Sequence, residues 1–207
     1  MRTATRSSAS EARRRQILEA ALDCFTTQGV EATTISDIRA RCGASVGSIY
    51  HHFGSKEELA VALYMEGLRS YQEGFLRELR QHKHAESGVR AVVAYHLRWV
   101  SGKTNWARYL LYLREDSSIT TAEDAIGAMN ESFVAAMMPW LDPHVQAGDV
   151  ARLPQDLYQP VLVGPLHHFS RQWLAGRTTS SMAEAQGVLA EVVWKALQGP
   201  STGSRSV

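Results

Sequence analysis

The feature that most constrains this chain is the spacing of its apolar residues, which recur three and four positions apart in nearly every long segment. No stretch of five or more residues alternates strictly in the manner of a half-buried strand, so the chain reads as all-α. The apolar runs are short, as in Ala91-Val-Val-Ala94, and none approaches the ~20 residues of a membrane span. A polar N-terminus leading into Arg13-Arg-Arg15 lacks the apolar centre of a signal peptide, and the expected location is cytoplasmic. Cys24 and Cys42 lie in apolar-periodic segments with no metal or redox spacing, which makes both expected buried free thiols.

The spacing predicts a first helix from about Glu11 to Gln28, with Ile17, Leu18, Ala21, Leu22 and Phe25 as its stripe and Gly29 as a left-handed stop. Thr34-Ile-Ser-Asp37 has capping-box form and opens a short helix ending at Gly43, and a third short helix runs from about Ser45 to His52. Ser55-Lys-Glu-Glu58 is a second capping box, before a long helix that Leu59, Leu63, Leu68, Phe75 and Leu79 carry to about Gln81. Further helices are expected at about 88–101, 105–115, 121–138, 155–175 and 182–198, with capping boxes at Thr121–Asp124 and Ser181–Glu184. His82–Gly88, Ser101–Asn105 and Asp116–Thr120 read as polar breaks. Pro139 to Pro154 reads as the longest connection, and 201–207 as a disordered tail.

Charge is informative when divided along the chain. The whole carries 22 Lys and Arg against 21 Asp and Glu, a formal +1 that argues against a uniformly basic nucleic-acid coat. Residues 1–56 hold 8 basic against 5 acidic side chains, a surplus of +3, and residues 57–207 hold 14 against 16. Arg13-Arg14-Arg15 can be a solvated face or a DNA contact.

Residues 33–53 carry the functional signal. A short amphipathic helix, a turn at Gly43 and a second short helix are the parts of a helix-turn-helix, whose second helix enters the DNA major groove. The groove admits one helix, so the inserted face must be small and able to hydrogen-bond. Ile49 and Phe53, four apart, can anchor that helix, and Ser45, Ser48, His51 and His52 fall largely opposite them. Gly47 lets the backbone approach DNA closely, and Val46 or Ala44 can meet a thymine methyl. Thr33 and Thr34 at one helix N-terminus, Lys56 at the next, and Tyr50 with the histidines are candidate phosphate contacts. An ordinary helical hairpin is the bland alternative.

On Ala21…Phe25…Gly29…Thr33-Thr34…Ile38…Gly43-Ala-Ser45-x-Gly47-Ser-Ile-Tyr50-x-His52-Phe53…Lys56-Glu57-x-Leu59 the chain resembles the tetracycline-repressor (TetR) family of bacterial regulators. Val30, where the family more often has an aromatic residue, and Arg39, where a small one is usual, depart from the pattern. The resemblance implies a three-helix DNA-binding domain at residues 1–54 and a larger helical domain at 55–200 that binds a small-molecule effector of unknown identity and dimerises. It further implies a repressor bound as a homodimer to a pseudo-palindromic double-stranded operator, with helices at about 155–175 and 182–198 forming the dimer interface.

An effector cavity needs apolar walls and a few polar anchors, for which His96, Trp99, Tyr109, Tyr112, Arg114 and His167 are the candidates. Aromatic residues at helical spacing are also ordinary core. No cofactor and no metal are expected, because His82-Lys-His84 and His167-His168 lack a carboxylate or thiolate at ligand spacing. An enzyme is the competing class, and no nucleophile elbow, P-loop, dinucleotide fingerprint or H-E-x-x-H supports it. A helical interaction module without DNA binding leaves the 33–56 register unexplained.

Overall fold

The structure is a computed structural model that describes residues 2–114 and 116–200, with the side chains of residues 2–7 left aside. The proposed tail at 201–207 lies outside the described residues. Among the described residues ten helices follow one another: α1 (Arg2–Ala32), α2 (Ile35–Cys42), α3 (Val46–Phe53), α4 (Lys56–Arg80), α5 (Ala85–Gly102), α6 (Thr104–Tyr112), α7 (Ser117–Thr120), α8 (Glu123–Ala147), α9 (Gln155–Leu174) and α10 (Met182–Leu197). Among the described residues the extended pairing is a single bridge, Val150 with Gln198, and no helix is long and apolar enough to cross a membrane. The chain forms two compact units, one from the N-terminus to Leu68 with Asn105–Asp124, the other Arg69–Thr104 with Ala125 onward.

In the first unit the expected stripe of α1 is buried, Ile17, Leu18, Ala21, Leu22 and Phe25 joining Ile38, Ile49, Phe53, Leu59 and Leu63. Each such side chain contributes about 1.5–3 kcal/mol on full burial. Gly29 takes φ 84° and ψ 165° and kinks α1, which then resumes through Ala32. The helix therefore breaks where expected without ending there, and Val30 beyond the kink is buried. Cys24 is buried and accepts a hydrogen bond from the Arg41 guanidinium at 3.0 Å, while Cys42 is half-buried, short of the burial expected. Desolvation raises the Cys24 thiol pKa, and Arg41 opposes that rise.

The second unit is built on α5, whose Val89, Val92, Val93, Leu97 and Val100 are buried with Leu162 and Leu166 of α9 and Val193 and Leu197 of α10. At Gly88 a Cβ would collide with the Trp140 ring, whose indole N–H donates to the His82 carbonyl at 2.7 Å. Both capping boxes at Thr34–Asp37 and Ser181–Glu184 form with reciprocal hydrogen bonds. Thr121 does not form one: its hydroxyl donates to the Ser118 carbonyl at 2.7 Å, and the following helix starts at Glu123. The break expected at Asp116–Thr120 is the short α7, capped by Asp116 accepting from the Ser118 N–H and held by buried Ile119.

The largest departure is at Pro139 and Pro143, expected in a long connection and found inside α8. Each proline removes one helical N–H, leaving the carbonyls of Ala135 and Pro139 without that donor. Ala135, Pro139 and Pro143 are exposed, so water serves those groups, while Phe133, Met137 and Leu141 bury the opposite stripe. Arg80 donates to the Ala136 carbonyl at 3.2 Å beside the first proline. Packing of that stripe outweighs the local preference, and the connection shrinks to residues 148–154.

Candidate nucleic-acid interface and buried polar cluster

The helix-turn-helix is built by short-range bonds. The Asp37 N–H donates to the Thr34 hydroxyl at 3.2 Å and the Thr34 N–H donates to the Asp37 carboxylate at 2.9 Å, closing the start of α2. The Thr34 N–H first, then the Thr34 hydroxyl 2.7 Å from the same carboxylate oxygen, hold the Asp37 carboxyl below its ordinary pKa. At the other end Gly43 adopts the left-handed φ of 64° and its N–H reaches the Arg39 carbonyl, a conformation that favours glycine. The Ser45 hydroxyl then accepts from the Ser48 N–H at 3.1 Å and starts α3. Ile49 and Phe53 are buried and fix the helix by one face.

The opposite face of α3 is open. Ser45, Gly47 and His51 are exposed, Ser48 and His52 are half-buried, and Val46 and Tyr50 are exposed to 41% and 46%. Among the described residues nothing lies within 4 Å of where a Gly47 Cβ would stand. The fold thus places no steric demand for a glycine there. Thr34 is exposed at the α2 N-terminus, where the Asp37 carboxylate already accepts from the Thr34 N–H and hydroxyl, two donors an outside anion would use. Of the two departures from the family pattern, Val30 is core and Arg39 is on the surface.

Three expected contacts are corrected. Thr33 is 1% exposed: its hydroxyl donates to the Gly29 carbonyl at 2.6 Å and accepts from the Gln28 amide at 3.3 Å. Ala44 is buried and cannot meet a thymine methyl. Lys56 is half-buried, and its ammonium donates to the carbonyls of Glu31 at 3.0 Å and Thr33 at 2.9 Å. The Thr33 and Lys56 bonds follow from the kink at Gly29, which leaves carbonyls at the end of α1 that need donors.

The six effector candidates are divided between the two units. In the first unit Tyr109 is core, its ring centroid 6.1 Å from that of Phe25 and its hydroxyl donating to the Ala60 carbonyl at 2.8 Å. Arg114 pairs with Glu123 at 2.6 Å, and Tyr112 lies on the surface. In the second unit His96, Trp99 and His167 do come together, around two residues the sequence reading missed. His96 Nδ1 is 2.7 Å from the Tyr71 hydroxyl and its Nε2 is 2.9 Å from the Ser170 hydroxyl. The His96 and His167 rings are 5.5 Å apart, and Trp99 packs edge-on against Tyr71 at 5.2 Å.

Burial, reinforced by His167, pushes the His96 pKa down to about 3, and burial with Arg171 takes His167 to about 4. Both imidazoles are therefore neutral near pH 7. The Trp99 indole N–H is buried without a hydrogen-bond acceptor among the described residues, and the apolar cavity lined by Leu79, Val89, Met137 and Trp140 measures about 10 Å³. Among the described residues no group of three or more His, Cys, Asp or Glu is placed to hold a metal ion.

The sequence pattern that defines the bacterial regulatory proteins of the tetR family matches residues 17–63, the segment that builds this helix-turn-helix. Over those residues the chain is similar to the tetR family. The transcriptional repressor AcnR of Corynebacterium glutamicum is 45% identical over 53 residues, 26% of this chain and 28% of AcnR, so that match spans well under two thirds of the relative. A TetR-family transcription regulator from Marinobacter aquaeolei superimposes with a TM-score of 0.80 at 21% identity, covering 94% of this chain and all of that one. The regulator FadR of Bacillus subtilis, solved with stearoyl-CoA, gives 0.77 at 18% identity over 88% of this chain and 98% of its own. These two likenesses carry the fold.

Proposed function

We propose that this protein is a ligand-responsive transcriptional repressor that binds a pseudo-palindromic double-stranded operator as a homodimer and leaves it when a small molecule binds. The observation that carries the reading is the α3 face of Ser45, Gly47, Ser48 and His51, open outward on a helix held by Ile49 and Phe53. Two such helices must enter successive major grooves, roughly 34–36 Å apart. Val46, Tyr50, His52 and Thr34 flank that face, and Lys56 acts chiefly as a brace. Residues 1–54 read DNA, and residues 55–200 sense the effector and hold the dimer.

Supporting the dimer, Val188 and Val192 of α10 are 64% and 49% exposed and stand four apart, an apolar stripe suited to a second copy. Supporting an effector site, His96, Trp99 and His167 with Tyr71 and Ser170 form a buried polar cluster within aromatic walls. Release requires an effector that prefers the conformation with poor DNA affinity. The protein works in the cytoplasm by binding, not by turnover, with no cofactor.

Selection of bound duplexes from a random pool, followed by gel retardation, tests the reading. Retention of one palindromic sequence by wild type and its loss in Ser48→Trp supports it. Failure to retain any duplex at low salt sinks it. A thermal-shift screen, with stearoyl-CoA as the first molecule tried, finds the effector class because a ligand of the folded state raises its melting point.

A further inference from the structure

The outward face of α3 has two unlike flanks. At about 100° per residue, Gly47 and His51 mark its centre, Val46 and Tyr50 lie to one side, and Ser48 and His52 lie to the other. On the His52 side α1 contributes cations. The Arg14 guanidinium carbon is 5.4 Å from the Phe53 ring centroid, and that ring is 6.1 Å from the His52 imidazole. The His52 and His51 rings are 5.7 Å apart. Arg14 pairs with Glu66 of α4 at 3.9 Å, with both side chains about two-fifths exposed at 41% and 43%.

Such a cluster gains little from its own members. Partial burial first, then His51, Arg14 and Arg13, makes His52 harder to protonate than an ordinary histidine. A groove has phosphate walls on both sides of an inserted helix, so this flank would meet phosphodiester oxygens. A phosphate set among these groups reverses the local field and favours the imidazolium.

We propose that Arg13, Arg14 and His52 form a phosphate-contacting patch beside the reading helix, and that DNA binding there takes up a proton from solvent onto the His52 imidazole. The inference rests on the DNA-binding reading above. Its sign is fixed by linkage. Below the free-protein pKa both states are protonated and affinity is level; as pH rises through the higher pKa of the complex, the proton is lost and affinity falls.

The test titrates a short mixed-sequence duplex into the full-length protein at low ionic strength between about pH 5.5 and 8, with proton uptake measured by calorimetry in two buffers of unlike ionisation enthalpy. Wild type weakens by up to about tenfold per pH unit and takes up protons. His52→Gln reduces the uptake, and Arg14→Gln weakens binding and shrinks the uptake. Uptake absent in wild type, or undiminished in His52→Gln, overturns the proposal. Should the variant fail to fold, the His52 ring is titrated by NMR in wild type with and without duplex; a higher midpoint in the complex supports the proposal and an equal one overturns it. No binding by wild type at any pH is a different failure, that of the DNA reading itself.

Discussion

The Lys56 ammonium lies 2.9 Å from the Thr33 carbonyl oxygen and 3.0 Å from that of Glu31, tying the first turn of α4 to the last turn of α1. Lys56→Met removes both charge-assisted bonds and leaves two carbonyls to water. Unfolding in urea should show a loss of about 1–2 kcal/mol. The salt dependence of DNA binding should change by less than the one unit of slope expected for a full phosphate contact. A full unit lost with unchanged stability would return Lys56 to the phosphate set.

Gly47 and Gly88 make opposite predictions. At Gly47 the site of an added Cβ is open, so Gly47→Ala should stabilise α3 by about 0.5–1 kcal/mol while weakening operator binding. At Gly88 the Cβ meets the Trp140 ring, and Gly88→Ala should cost about 1–3 kcal/mol. Paired denaturation curves and gel retardation separate the two.

Acid should destabilise the protein through His96. Its pKa is near 3 in the fold against about 6.5 in the unfolded chain, so the unfolded state binds more protons between those values. The stability is present above about pH 6.5 and is lost as pH falls towards 3. His167, near 4, acts in the same direction. Melting points measured from about pH 7 to 4 should fall, and the fall should be smaller in His96→Gln; equal slopes would remove His96 as a cause.

Val188 and Val192 offer the test of assembly. Replacing both with Asp puts charge on an exposed stripe and asks little of the monomer's own packing. Sedimentation should show the dimer shifted to monomer while helix content stays constant. A dimer unaffected by the double change would move the interface elsewhere.

Much of the reading unit was legible because its signals are local. A capping acid three residues after Thr34, a glycine at 43 and anchors at 49 and 53 act over one turn of helix, the range that sequence spacing measures. Thr33 and Lys56 were misread because their roles depend on the kink at Gly29, which decides which carbonyls need donors. The α8 prolines were misread for the converse reason, since a buried stripe at Phe133, Met137 and Leu141 overrules a breaker whose freed carbonyls face water. The effector candidates were chosen by residue type. Type does not distinguish Tyr109, a core residue, from Tyr71, a hydrogen-bond partner of a buried imidazole.

The open position at Gly47 has a consequence for how this protein diverges. The residues that secure α3 and the residues it offers outward lie on opposite sides of the same two turns. Under the proposed DNA-binding role, selection on operator sequence can therefore rewrite one side while the other keeps the helix seated. Duplicated copies are free to acquire new target sequences without first passing through a misfolded ancestor.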